Sequence, residues 1–231
     1  MSDVKDLVQV AGIIDAEEAA LPAEEGVDWF GFPLRLPSGK DDISEAAATE
    51  IIAGLKAPQE GVLISYLTDA DEISAFTTEL GVKAVQLHGD VEPEQLRKLK
   101  ANRPDLYVLK SLVVKEDNAE ELLRLVDDVA DAVDMFITDT FDPATGAKGA
   151  TGLTHDWNVS AELVRRSPKP LMMAGGLNAE NVADAIRFVK PAAVDAHTGL
   201  EGADGRKDRA KVATFVAESR KAFAEIAGES A

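Results

Sequence analysis

Short apolar segments alternate with segments of helical periodicity along the whole chain, and this alternation restricts the folds that the chain can adopt. Each of eight apolar runs is followed by residues whose apolar side chains recur at helical spacing. We predict strands at residues 8–14, 27–34, 62–66, 83–87, 106–112, 135–138, 171–173 and 192–194. We predict helices at residues 15–25, 43–55, 69–79, 92–101, 118–132, 160–166, 182–189 and 208–226.

Eight strand–helix units in 231 residues predict an α/β fold, the (β/α)8 or TIM barrel. An open doubly wound sheet is the alternative, but it rarely contains eight such evenly spaced units. We therefore predict a single barrel domain over residues 1–231. Residues that follow the strands form the functional site of such a barrel. The candidates at these positions are Ala11, Arg35, Lys40, Thr68, His88, Lys110, Asp139, Gly175, Gly176 and residues 195–199.

Composition argues against several classes of protein. No run of 18 apolar residues is present, so we expect no membrane span, and the N-terminal residues lack a signal-peptide pattern, so we expect a cytoplasmic location. The net charge of −18 disfavours binding to nucleic acid or to anionic membranes. Cysteine is absent, which excludes disulfides, a thiolate metal site and a cysteine nucleophile.

Glycine-containing turns follow the last two predicted strands. Gly175 and Gly176 follow the seventh strand, ahead of Asn178 as a candidate N-cap, and Thr198 and Gly199 follow the eighth. Glycine lets backbone N–H groups approach an anion closely, and the last two strands of a barrel are its usual phosphate site. We predict a phosphorylated small-molecule ligand at these turns.

Four segments that carry polar residues occur in a fixed order along the chain. They are VQLHG at 85–89; ITDT at 137–140 with GATG at 149–152 and HDW at 155–157; AGGLN at 174–178 with ENV at 180–182; and VDAHTGLE at 194–201. Together they resemble the motifs V-Q-L-H-G, L-L-D-S…G-G-T-G…D-W, A-G-G-L…E-N-V and V-D-V-S-S-G-V-E of the phosphoribosylanthranilate isomerase family. The resemblance spans nearly the full length of the chain.

This resemblance implies an Amadori rearrangement of a phosphoribosyl amine in tryptophan biosynthesis. In the family a general acid protonates the furanose ring oxygen, the ring opens to a Schiff base, and a general base removes the proton on C2′. The acid, the Asp of L-L-D-S, corresponds to Asp139. The resemblance also implies that Gly152 belongs to the substrate-binding residues. It implies no cofactor, and no strand is followed by G-x-G-x-x-G.

The chain departs from the family at two positions: that of the general base and that of the residue that holds the aglycone. The family base is the Cys of K-I-C-G on the first strand, and Ala11 stands at that position, with Gln9 in place of the Lys. Loss of a positioned base typically costs about 10²–10⁴-fold in rate. In the family, the Arg of the motif S-P-R helps to hold the anthranilate end of the substrate. This chain has the sequence Ser-Gly-Lys at residues 38–40, so Lys40 stands in place of that Arg. A lysine cannot form a bidentate fork, and Arg35 is the candidate substitute.

His197 is a candidate for the missing base. Strand eight lies beside strand one in a closed barrel, so His197 could overhang the space that Ala11 leaves, and imidazole titrates near neutral pH. The alternatives are that His197 donates to the substrate phosphate or caps the strand end.

Two roles are possible for several of the remaining polar candidates. His88 either contacts substrate or hydrogen-bonds a neighbouring loop, and Lys110 either binds an anionic substrate or pairs with an acidic neighbour. Asp156 is predicted to cap a helix. Asp142 and Asp195 could share a metal with Asp139 only if the fold united them; nothing in their spacing requires it, so we predict no metal.

Three functions are compatible with these residues. The first is the family isomerase, with Asp139 as its acid. The second is a paralogue that acts on another sugar phosphate, which the changes at Ala11 and Lys40 favour. The third is a non-catalytic barrel that binds a phosphorylated metabolite; a retained Asp139 and His88 argue against it. A homodimer and a monomer both remain open.

Overall fold

Eight parallel strands close into a barrel in the order of the sequence, in a computed structural model that describes residues 4–116, 118–140 and 154–229. The strands are β1 Leu7–Ala11, β2 Trp29–Pro33, β3 Glu60–Ser65, β4 Ala84–Leu87, β5 Tyr107–Val114, β6 Met135–Thr140, β7 Leu171–Met173 and β8 Ala193–Ala196. The helices are α1 Ala16–Glu24, α2 Glu45–Gly54, α3 Ala70–Leu80, α4 Pro93–Asn102, α5 Ala119–Val129, α6 Trp157–Arg166, α7 Val182–Val189 and α8 Arg209–Glu229. The predicted barrel is confirmed, and the open sheet is excluded because β1 pairs with both β2 and β8.

Side chains at the helix starts explain where several helices begin. Asp15 accepts a hydrogen bond from the Glu18 N–H at 2.8 Å, and Asp156 accepts one from the Asn158 N–H at 2.9 Å, as expected of N-caps. Asn178 differs from the prediction. Its Oδ1 accepts from the backbone N–H groups of Glu180 and Asn181 in the turn ahead of α7, and the helix itself begins after Asn181.

Alternating strand positions divide the core into two parts. Outward-facing residues such as Val8, Val10 and Phe136 pack against the helices, whereas a smaller set fills the barrel interior. This interior plug consists of Leu7, Trp29, Val62, Ala84, Leu109, Met135, Ile137, Met172, Ala174 and Ala193. The plug fills the lower part of the barrel, and the space left inside the described barrel lies towards the end at which the strands terminate.

No helix among the described residues is long and apolar enough to cross a membrane.

Candidate active site

A cavity of about 260 Å³ opens at the C-terminal end of the barrel. It is lined by most of the predicted site residues, namely Ala11, His88, Asp139, Gly175, Gly176, His197, Thr198 and Gly199. The structure therefore brings together residues from β1, β4, β6 and the loops after β7 and β8. Gly152 and Asp142 lie outside the described residues.

The turns after β7 and β8 pack directly on each other. Gly175 and Gly176 have φ angles of 97° and 66°, which favour glycine. A side chain at Gly199 would lie 2.1 Å from the carbonyl oxygen of Leu177, so only glycine allows this approach. A short 3₁₀ turn, Thr198–Leu200, begins at the same point. Backbone N–H groups of both turns are thus held at one wall of the cavity, where an anion can be bound.

A chain of side-chain contacts crosses the barrel beneath the cavity from β1 to β6. The Gln9 amide donates to Gln86 Oε1 at 2.8 Å, and Gln86 Nε2 lies 2.6 Å from His88 Nε2. His88 Nδ1 lies 3.2 Å from Asp139 Oδ2. Because an amide nitrogen is a donor, His88 Nε2 accepts and Nδ1 carries the proton that faces Asp139. His88 Nδ1 thus faces the Asp139 carboxyl group at 3.2 Å, although no hydrogen bond joins the two among the described residues.

A second set of hydrogen bonds holds Asp139 from the side of Thr140. Asp139 Oδ1 accepts from the Thr140 N–H at 2.8 Å, and the Thr140 hydroxyl lies 2.9 Å from His155 Nδ1. His155 Nε2 lies 2.6 Å from the buried Ser160 hydroxyl. Burial lowers the pKa of His155 to about 4, so its ring is neutral near pH 7 and can accept through one nitrogen while donating through the other.

His197 is held by an ion-pair cluster beside its ring. Its Nε2 lies 3.3 Å from Glu201 Oε1, which also lies 3.0 Å from the buried Lys207 Nζ. A side chain at Gly12 would come within 2.0 Å of the same Nε2, so this edge of the ring faces the Gly12 backbone. Burial, and next the charge of Lys207, lower the pKa of His197 to about 4 despite the opposing Glu201. His197 is therefore neutral at pH 7.

Asp195 is a buried carboxyl group in the cavity wall whose importance the sequence analysis missed. Its residue is 7% exposed, and its Oδ1 has no hydrogen-bond partner among the described residues. Burial raises the pKa of Asp195 to about 7 from its ordinary 3.8, and the charge of Asp139 adds to the increase. A hydrogen bond to Gln9 and the charge of Lys207 oppose it. No local pattern distinguishes Asp195 from the other residues near the end of β8, because its burial and its register with Gln9 depend on distant segments.

Arg35 and Lys40 do not line the cavity, which differs from the prediction for the aglycone end. Arg35 has a φ of 51°, its guanidinium lies 2.8 Å from Glu45 and 3.4 Å from Glu79, and it stacks 3.5 Å from the ring centre of Phe76. The acidic residues of α2 and α3 therefore engage it on the outer side of the barrel. Lys40 is exposed.

Lys110 is buried and does not line the cavity either. Its Nζ donates to the backbone carbonyl oxygens of Gly89 at 3.3 Å and Ser111 at 3.0 Å. These bonds fix the turn that follows His88. Across the described parts of the chain, no group of three or more His, Asp or Glu side chains could hold a metal ion.

Comparison with known proteins gives the same family as the motifs. The family model described as N-(5'-phosphoribosyl)anthranilate (PRA) isomerase matches residues 10–218. N-(5'-phosphoribosyl)anthranilate isomerase 2 of Methanosarcina mazei is 36% identical over 220 residues, which cover 95% of this chain and 96% of the relative. The crystal structure of phosphoribosyl anthranilate isomerase from Thermotoga maritima superposes with a TM-score of 0.78 at 30% identity, covering 93% of this chain and 98% of that one.

A further solved phosphoribosyl anthranilate isomerase is in complex with reduced 1-(o-carboxyphenylamino)-1-deoxyribulose 5-phosphate, a phosphorylated ligand. It superposes with a TM-score of 0.76 at 29% identity and covers 93% of this chain and 98% of its own. Family model, relatives and solved structures agree over nearly the whole chain, and they confirm the identification made from the motifs. The chain belongs to the N-(5'-phosphoribosyl)anthranilate isomerase family of tryptophan-biosynthetic isomerases.

Proposed function

We propose that this chain isomerises N-(5'-phosphoribosyl)anthranilate by an Amadori rearrangement, as a cytoplasmic enzyme. The observation that carries the proposal is that Asp139 and the two glycine turns line the same cavity. An acid and an anion-binding wall are the two features that this reaction needs at opposite ends of a phosphoribose. The ligand of the solved relative, a ribulose 5-phosphate derivative, is chemically a reduced form of the product.

The phosphate fixes the substrate in the cavity. Backbone N–H groups at Gly175, Gly176 and Gly199, together with the Thr198 hydroxyl, bind its oxygens. This anchors the ribose over the end of the barrel, with the ring towards Asp139. Binding energy from the non-reacting phosphate thus orients the reacting atoms.

Asp139 acts as the general acid. Its proton passes to the furanose ring oxygen, the bond between that oxygen and C1′ breaks, and the nitrogen lone pair forms the Schiff base at C1′. Removal of the C2′ proton then gives an enolamine, which tautomerises to the ketone. The Thr140 N–H holds one oxygen of this carboxyl group, which leaves the other, protonated oxygen to meet the ring oxygen.

His197 is expected to position substrate rather than to carry the reaction. Its Nε2 edge faces Gly12 and Glu201, so substitution by glutamine should retain a polar contact there. We expect His197→Gln to raise KM and to change kcat by less than about tenfold, well below the effect of losing an acid or base. Steady-state kinetics of the purified variant measure both constants. A loss of kcat by several hundred-fold with KM unchanged would instead identify His197 as the base.

The aglycone end of the cavity supports a second candidate function. It is formed by Pro33, Leu36, Ile64 and Tyr66, with Asp42 as its charged residue. Among the described residues, no Lys or Arg lines the cavity, although the carboxylate of anthranilate would gain from a cation. This arrangement favours a paralogue that isomerises a phosphoribosyl amine with an uncharged or cationic aglycone. A non-catalytic binder of a phosphorylated metabolite is the third alternative.

Complementation separates these functions. A strain that lacks this isomerase, grown without tryptophan, should grow when it expresses the chain, and the purified protein should convert phosphoribosylanthranilate. No conversion of phosphoribosylanthranilate, together with turnover of another phosphoribosyl amine, would establish the paralogue. Phosphate-ligand binding without any turnover would establish the binder.

A further inference from the structure

Ala11, at the position of the family base, has no side-chain group that could accept a proton, and the Asp195 carboxyl group lies on the neighbouring strand. Ala11 lies on β1 two residues beyond Gln9, so both face the barrel interior. Gln9 is paired in register with Asp195 on β8. The small side chain of Ala11 therefore leaves the space above the Gln9–Asp195 pair open, and both Ala11 and Asp195 line the cavity.

The surroundings of Asp195 are unusual for a purely structural carboxyl group. Its Oδ1 has no hydrogen-bond partner among the described residues, although structural buried carboxylates are normally paired or fully hydrogen-bonded. The titratable groups that face it are Asp139, His88 and Lys207, and none of them forms an ion pair with it in the described part of the chain. A buried carboxyl group that lines a cavity and has an unused oxygen is suited to exchange a proton with a ligand.

We propose that Asp195 is the proton acceptor of the isomerisation, in place of the side chain that Ala11 lacks, and that it forms the acid–base pair of this enzyme with Asp139. The assignment rests on the proposed function and replaces the hypothesis that His197 is the base. His197 offers a weaker acceptor, because burial lowers the pKa of its imidazole to about 4.

The proton balance of the pair is complete without a co-reactant. Asp139 gives its proton to the ring oxygen as the bond from that oxygen to C1′ breaks. Asp195 takes the proton from C2′, and the electron pair of the C2′–H bond forms the C1′=C2′ double bond of the enolamine. The proton that Asp195 accepts returns to Asp139 through solvent before the next forward cycle.

The protonation state of Asp195 predicts a specific pH profile. Burial raises the pKa of Asp195 to about 7, so its carboxyl group becomes a free proton acceptor only as the pH rises through this value. The kcat of the wild-type enzyme should therefore increase with pH, with an apparent pKa of about 7 that is a macroscopic value of the pair. Asp195→Asn should remove this acid limb.

The decisive experiment measures turnover of phosphoribosylanthranilate by the wild-type protein, Asp195→Asn and the double variant Asp195→Asn/Ala11→Cys. We expect Asp195→Asn to lower kcat by about 10²–10⁴-fold with little change in KM. With substrate deuterated at C2′, the isotope effect on kcat should increase in this variant, because proton abstraction becomes slower than the other steps. A thiol introduced at residue 11 should restore turnover, with a pH profile that follows the thiol.

The control is Asp105→Asn, which removes an exposed carboxylate that pairs with Arg103 ahead of β5. It should leave kcat unchanged, and circular dichroism checks that every variant is folded. If the wild-type protein converts the substrate and Asp195→Asn retains its kcat, the assignment of the base is wrong. If the wild-type protein does not convert the substrate at all, the proposed function fails and the assignment fails with it. If the loss of kcat in Asp195→Asn is not accompanied by a larger isotope effect, Asp195 is only structural.

Discussion

Replacing Asp139 by asparagine is expected to lower kcat for phosphoribosylanthranilate by about 10²–10⁴-fold, the contribution of a positioned general acid. Asparagine has the same shape but no acidic proton, so the ring oxygen would have to leave as an unprotonated alkoxide. Substrate binding should persist, since the glycine turns that we propose hold the phosphate do not depend on the carboxyl group. Steady-state kinetics should therefore show the loss in kcat and only a small change in KM.

The local geometry makes this substitution interpretable. The side-chain oxygen of the introduced asparagine can still accept from the Thr140 N–H, whereas its amide group would meet the Nδ1–H of His88, so the imidazole must change tautomer. Asp105→Asn again serves as the control, because its carboxylate is exposed and lies before the start of β5, at the end of the strand away from the cavity. Undiminished turnover by Asp139→Asn would refute the role of Asp139 as acid and would favour a reaction that needs only one of the two carboxyl groups.

Replacing Asp195 by asparagine should make the folded protein more stable, and increasingly so as the pH rises. The folded pKa of Asp195 is raised to about 7, mainly by burial, against an ordinary value of 3.8. The folded state therefore holds a proton that the unfolded state has released between these two values, and the free energy of unfolding falls as the pH rises through this window. The loss amounts to about 4 kcal/mol at 1.36 kcal/mol per pH unit.

Asparagine is neutral at every pH and removes this loss. We expect the difference in Tm between Asp195→Asn and the wild-type protein to be larger at pH 8 than at pH 5, by several degrees, at about 2–4 °C per kcal/mol for a chain of this size. The buried histidines act in the opposite direction, since the pKa values of His155 and His197 are lowered to about 4. Their effect is the same in both proteins, so it cancels in the difference. A difference in Tm that does not vary with pH would show that Asp195 is not buried as a neutral acid.

The barrel and the glycine turns in its cavity wall could be predicted from the sequence because both depend on local patterns. Alternating apolar and helical periodicity determines the eight units, and glycine at residues 175 and 176 marks backbone conformations that few other residues adopt. His88 directly follows β4, and Asp139 lies near the end of β6. The barrel architecture alone therefore places both at the cavity.

The residues that the sequence analysis misplaced depend on contacts between distant segments. Arg35 is close in sequence to the family's arginine position, but Glu45 and Glu79 on two later helices engage its guanidinium away from the cavity. The importance of Asp195 depends on its burial and on its register with Gln9, which lies on β1 where this strand closes the barrel against β8. Neither property can be obtained from the residues immediately around it.

The hydrogen bond between Thr140 and His155 joins residues fifteen positions apart in the sequence. Since His155 is in turn anchored to Ser160 on α6, side chains tie the end of β6 to the start of α6. A change at Ser160, which does not line the cavity, would therefore reach the Asp139 carboxyl group through His155 and Thr140.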